Sequence, residues 1–285
     1  MTAMRVSPPK VFPGVSGAPR PAPGSPAADA FRQTGFVLGG EVDLVLRGLA
    51  LESSVAEASA GAKYRKQPTA AALGLWSRSW LTRLDALHAL QGGNYAAALP
   101  LVRAAADYAA AELALLQSDA AEWVEWLDSG GVALAPTEHA LEFRLHAFRS
   151  GEALAALPDL GRIYRTVTDL SLSHFGSTVL VAGSESDPAR IAMTFGDRDF
   201  HLGLAEILLA WLAELSVIHL DGAAAAPASF APPPEGRDAF AREAAALAAR
   251  RDRCRIESAE VGGQSRYLIA NWRRTPGAAP KRVLL

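Results

Sequence analysis

The run Leu202–Leu220, LGLAEILLAWLAELSVIHL, constrains this chain more than any other segment. It approaches the length of a membrane span, yet Glu206 and Glu214 lie inside it. An ionised carboxylate near a bilayer centre costs on the order of a few kcal/mol. The run therefore reads as a core helix, and no membrane is implied. The rest of the chain suits helical neighbours, since 58 of the 285 residues are Ala, the best helix former, and half are hydrophobic. The expected fold is mainly α: an antiparallel helical bundle with a small β-hairpin insertion.

Punctuation along the chain sets the expected elements. Residues 1–27 hold seven Pro and no acid, and read as a disordered tail. Helical periodicity then predicts a bundle domain over 28–221. Its helices run from about Asp29 to Ala60, Thr69 to Leu90 (stopped by Gly92-Gly93) and Asn94 to Gln117, with Pro100 as a kink or a true start. A short helix capped by Ser118 or Asp119 carries Trp123 and Trp126. Two more run from Thr137 to Phe148 and from Asp159 to Phe175. The runs Thr178–Ala182 and Arg190–Phe195 read as the hairpin. Asp199 is the expected cap of the apolar helix. An Ala/Pro-rich linker over 222–236 leads to a C-terminal helix and a poorly patterned basic tail over 237–285. Only Phe240 and Leu247 give that last helix large apolar residues, so the segment is expected to dock weakly.

Charge is uneven. Residues 28–235 carry 14 basic and 25 acidic side chains, a net of −11, whereas 236–285 carry +6 and 1–27 carry +3. The basic tail is expected to lie on the acidic body. Arg250, Arg251, Arg253, Arg255, Arg273 and Arg274 also suit nucleic acid as a partner. With Cys254 the single cysteine, neither an intrachain disulfide nor a cysteine-rich zinc site can form. The N-terminus has no apolar stretch of the signal-peptide kind, and a cytoplasmic location is expected.

No phosphate-binding loop, nucleophile elbow, dinucleotide fingerprint or zinc-protease motif occurs, and no cofactor is implied. His139, Glu142 and His146 share a helix face but read as solvated. Leu160, Ile163, Val167, Leu170 and His174 fall at spacings of three and four, with Tyr164 and Ser171 along the edge. On the helix after Asn94, the seam is Leu99, Val102, Ala106, Ala109, Leu113 and Leu116. Arg103 and Asp107 lie beside it, four apart, where they can pair. Arg103, Asp107, Tyr164, Ser171 and His174 are thus the candidate polar cluster, with Arg103 and Asp107 expected as a buried pair.

Gly93-Asn94-Tyr95, Leu101-Val102-Arg103 with Asp107, and Tyr164 with Leu170-Ser171-Leu172-Ser173-His174 resemble a pattern in bacterial helical-bundle proteins grouped with the HEPN-like superfamily. The likeness spans roughly residues 70–220, with Asp107 where the family has Glu. It implies a bundle and, for some members, a role in defence or RNA cleavage by an Arg and a His four to six residues apart. Arg83 and His88 have that spacing, although Leu84 stands where a polar residue follows the Arg. A non-enzymatic binding or regulatory module, acting on a protein partner or by self-association, is the leading expectation. A HEPN-like ribonuclease or defence effector is the alternative.

Overall fold

The structure, a computed structural model, describes residues 11, 14–59, 67–118, 120–129, 147–173, 177, 182–183, 186 and 189–285. Among these it is mainly helical, with a small antiparallel sheet. The helices are α1 (Pro26–Ala58), α2 (Gln67–Gln91), α3 (Tyr95–Gln117), α4 (Ala121–Asp128), α5 (Gly151–Ala156), α6 (Pro158–Ser171), α7 (Leu202–Ala225) and α8 (Arg237–Ala249). Strands β1 (Arg255–Val261), β2 (Gln264–Trp272) and β3 (Lys281–Leu284) follow.

Local chemistry explains the boundaries. The Ser25 hydroxyl accepts from the Ala28 amide at 3.2 Å, so α1 starts just before the expected Asp29. It kinks at Leu38 (φ −128°, ψ 21°), within Gly35–Gly40. After α2 the chain turns at Gly93, whose φ of +72° and approach to the Arg198 carbonyl leave no room for a Cβ. Asn94 caps α3 as expected, accepting from the Ala97 amide at 3.3 Å, and Pro100 sits inside the helix without ending it. At α4 the N-cap is Ala120, in the left-handed region, and no side chain caps it. His201 rather than Asp199 caps α7, its ring accepting from the Leu204 amide at 3.4 Å.

The core sits around α7, whose buried residues extend round the helix. It passes the length and composition test for a membrane span, yet 78% of the tested window is buried inside the protein. Helices α1, α3, α6 and α8 pack against it, while α2 lies along α3. Leu99, Val102, Ala106, Ala109 and Leu113 of α3 are buried, as are Leu160, Ile163, Val167 and Leu170 of α6. Trp211 belongs to this core, whereas Trp123 and Trp126 pair at its margin, ring centroids 5.0 Å apart.

Four expectations need correction. The β element is a three-stranded meander in the C-terminal segment, order β1-β2-β3. Over 190–195, Arg190 forms a lone bridge and the rest has no strand; most of 178–188 lies outside the described residues, as does 137–146. Ile191, Met193 and Phe195 are exposed and so have no core to pair over. The tail over 14–24 lies on the end of α2: the Ala18 amide donates to Gln91 Oε1 at 2.7 Å, and Val15 packs on the core. Segment 222–236 is not a free linker, since α7 continues to Ala225, Phe230 is buried, and the Ala231 amide donates to Ser59 Oγ at 2.6 Å. Residues 236–285 are core rather than appendage: Phe240, Ala244, Leu247, Cys254, Ile269 and Trp272 join the same hydrophobic cluster as α7.

Phe240→Ala should therefore cost about 3–5 kcal/mol, the range for emptying a large aromatic site in a core. Arg242→Ala, on the exposed face of α8, should stay within about 0.5 kcal/mol of the parent. Urea unfolding followed by far-ultraviolet circular dichroism separates the two. If Phe240→Ala unfolded alongside Arg242→Ala, α8 would be peripheral.

Candidate functional site

The polar residues singled out from the sequence do not converge as a buried cluster. Arg103 and Asp107 are exposed on α3, and no ion pair joins them among the described residues. Arg103 instead donates from Nε to Thr168 Oγ1 at 3.1 Å and lies over the Tyr164 ring, 5.7 Å from its centroid. Ser171 donates to the Val167 carbonyl of its own helix at 2.5 Å. His174 lies outside the described residues, as do His139, Glu142 and His146. The seam turned Arg103 outward because Val102, Ala105 and Ala106 occupy the core face.

The interior holds a different polar network, on α1, α2, α3 and α7. Arg83 and Glu52 are both buried and form a bidentate pair, Nη1 to Oε1 at 2.7 Å and Nη2 to Oε2 at 2.5 Å. Arg83 also donates from Nη1 to Ser216 Oγ at 2.8 Å and from Nε to the Ser79 carbonyl at 3.2 Å. The Trp76 indole donates to Glu52 Oε2 at 2.6 Å. Four of the five guanidinium N–H groups are thus engaged, the kind of compensation on which a buried ion pair is tolerated.

Beside it stand Ser79, His219 and Glu112, in the order of a hydroxyl–imidazole–carboxylate relay. Ser79 Oγ donates to the Ala105 carbonyl at 2.9 Å, so its single proton is committed. The 2.8 Å contact between Ser79 Oγ and His219 Nε2 then requires Nε2 to be the donor. That leaves Nδ1 facing Glu112 Oε2 at 2.6 Å. With both atoms deprotonated this would be acceptor against acceptor, and neither atom makes any other hydrogen bond among the described residues. One proton must lie between them. Burial pushes the Glu112 carboxyl well above its usual range, helped by the Glu52 charge, and holds His219 well below its own, helped by Arg83. The proton therefore belongs to Glu112, and the pair is neutral. His219 is stacked on Trp76, centroids 5.9 Å apart. With Ser79, His219 and Glu112 all sealed from solvent, the relay meets no substrate.

Sequence reasoning missed Glu52, Ser79, Glu112, Ser216 and His219, and singled out Arg83 only for its spacing to His88. Arg83 is entirely inside, while His88 is half-buried, its ring 2.8 Å from the Ser16 carbonyl. The available signal was Glu112 and His219 within apolar runs, where an ionisable group needs a buried partner.

The basic residues of the C-terminal segment meet the acidic body. Arg253 bonds Glu41 and donates to the Glu206 carbonyl at 3.1 Å; the Cys254 amide donates to Glu206 Oε2 at 2.8 Å. Arg274 likewise pairs with Asp197 of the body at 2.5 Å, whereas Arg255 pairs with Glu257 and Arg250 with Asp252 inside the C-terminal segment itself. Burial raises the Cys254 thiol and the Glu206 carboxyl above their usual ranges.

A solvent-reachable concavity lies elsewhere among the described residues: a groove of about 750 Å³. Its floor is one face of α7, with Ala210, Glu214, Val217 and Ile218 half-buried; Leu157, Pro158 and Arg162 form one wall, and Ala241, Ala245 and Ala248 of α8 the other. Arg162 bonds Glu214 Oε2 and lies 3.5 Å from Asp159 Oδ1. Burial raises the Glu214 carboxyl, against the pull of Arg162. Comparison with family models, with curated proteins and with solved structures gives no match.

Two outcomes test the interior. Folded and neutral, the Glu112–His219 pair holds one proton; unfolded, it holds two below about pH 4.5, one up to about 6.5, and none above. Stability rises with pH where the unfolded state binds more protons, so the pair gives a plateau from 4.5 to 6.5. On either side stability falls by up to about 1.4 kcal/mol per pH unit. Glu112→Gln should abolish the alkaline fall and start the acid fall at 6.5; His219→Gln should abolish the acid fall and start the alkaline fall at 4.5. Urea stabilities across this range check it, and parallel profiles for all three proteins would place the proton elsewhere. Separately, Arg83→Met or Glu52→Leu alone should cost about 3–5 kcal/mol, with most of the loss regained in the double variant. Additive losses in that double-mutant cycle would contradict the pairing.

Proposed function

We propose that this chain is a binding module rather than a catalyst, and that its ligand is a slender apolar molecule lying along α7. The observation that carries this reading is the groove. Its volume falls within the range of about 300–1,000 Å³ typical of small-molecule sites, and its surface is apolar apart from a few charged groups. From Ile207 to Asp221 the floor helix advances about 21 Å, so the groove has the length of an extended chain. One hydrocarbon chain or a row of rings matches that length. Support also comes from the interior, where the groups best suited to acid–base work have no exposed surface.

The HEPN-like ribonuclease alternative has less behind it. Arg83 bonds only interior partners, and a phosphate on the surface does not reach it.

A homologous series of 1-alkanols from hexanol to dodecanol tests the reading by calorimetry. Affinity should rise about fourfold per methylene, the equivalent of about 0.8 kcal/mol for each buried CH₂, until the chain outgrows the groove. Ala245→Trp, at an exposed rim position, should abolish binding and leave the melting temperature unchanged. Failure of every alkanol to saturate, or binding indifferent to Ala245→Trp, would remove the groove from consideration.

A further inference from the structure

Resting on the groove as the binding site, we infer that the ligand carries a cationic amine head, seated at Glu214. Arg162 is the only cation bonded to Glu214 among the described residues, and it engages Oε2. No hydrogen bond reaches Oε1, so one oxygen of a largely buried carboxylate is left with acceptor capacity beside an apolar surface. A group that donates a hydrogen bond is therefore favoured there.

Charge decides which donor. Arg162 is shared between Glu214 and Asp159, two carboxylates against one guanidinium. The Arg237 guanidinium is likewise shared between Asp221 and Asp238 at the Asp221 end of the groove. The other cations of the lining are engaged elsewhere: Arg253 by Glu41 and Arg255 by Glu257. The middle of the groove thus carries an excess negative charge, inside a body of net −11 over residues 28–235. An anionic head is repelled, a neutral alcohol gains one hydrogen bond, and an ammonium gains a charge-assisted one. The ammonium's charge also acts with Arg162 against the burial that raises the Glu214 carboxyl. Glu214 stands midway along the floor, so the head sits at the centre and the chain runs toward Ile207 or toward Ala225.

The test compares decylammonium, decanol and decanoate, of equal chain length, titrated into the full-length protein at low salt and below their micelle concentrations. Decylammonium should bind several-fold tighter than decanol, because both heads donate to the carboxylate and only the ammonium adds an opposite charge, with decanoate weakest. Salt should narrow the gap between the ammonium and the alcohol. Glu214→Gln should bring decylammonium down to the alcohol's affinity and leave decanol unchanged; Asp159→Asn, at an exposed position, should lower the ammonium alone and by less. Should Glu214→Gln fail to fold, Asp159→Asn gives the same comparison. Decanol binding as well as decylammonium, or decanoate binding best, overturns the amine head and leaves the groove reading standing. If none of the three saturates, the groove reading itself falls.

Discussion

Arg83 is the group on which the interior depends. A guanidinium presents five donors and does not give up its charge, so a dry core accommodates it only when those donors are met. Here Glu52 of α1, the Ser79 carbonyl of α2 and Ser216 of α7 meet four of the five. Ala-rich helices offer each other smooth surfaces, and small side chains alone leave several registers of nearly equal energy. The guanidinium removes that degeneracy. Sliding α7 by one turn carries Ser216 and His219 away from Arg83 and Ser79 together, stranding a charge and a protonated carboxyl. Gly48 permits the arrangement, because a Cβ there would stand 2.9 Å from Ser216 and 2.6 Å from Phe240. The same position fixes the polar network and the docking of α8.

The second dependence runs through the start of α7. The first amides of a helix have no partner within it, and a core helix has no water to turn to. The Leu202 amide donates to the Arg274 carbonyl at 2.9 Å and the Gly203 amide to the Arg273 carbonyl at 2.9 Å. Gly203 also lets Trp272 and Cys254 come close, since a Cβ there would lie 3.1 Å from the indole and 3.4 Å from the thiol. The stretch that leaves β2 is therefore the cap of the most apolar helix, which explains why a segment with few large side chains is held so firmly.

Periodicity made the helices legible, because Leu160–Ile163–Val167–Leu170 and Leu99–Val102–Ala106–Ala109–Leu113 repeat with the turn of the helix. The sheet was legible too, through a signal that went unread. Two alternating runs flank Gly262-Gly263, and both glycines have positive φ, as a two-residue hairpin loop requires. What the sequence hid was pairing across the bundle. Arg103 and Asp107 are four apart on one helix and do not pair, whereas Arg83 and Glu52 are separated by a helix connection and do. Spacing along a helix predicts which groups share a face; it does not say whether that face meets water or another helix. Glu112 shows the difference, an acid in an Ala/Leu run whose only close polar partner, His219, stands on another helix.

The groove follows from the same economy of side chains. Helix α7 is apolar on every face and needs cover all round. On the sides of α1 and α3 it is covered fully, and residues such as Leu208, Leu212 and Leu215 are buried. On the remaining side the cover comes from α6 and α8. Helix α8 directs its two large residues, Phe240 and Leu247, into the core, leaving Ala241, Ala245 and Ala248 to line the rim. Alanines there are too short to close over Ala210, Val217 and Ile218, which stay half-buried. Small side chains on α8 thus leave apolar surface of α7 uncovered beside Glu214, while the large side chains of the same helix complete the core that seals the Arg83–Glu52 and His219–Glu112 pairs.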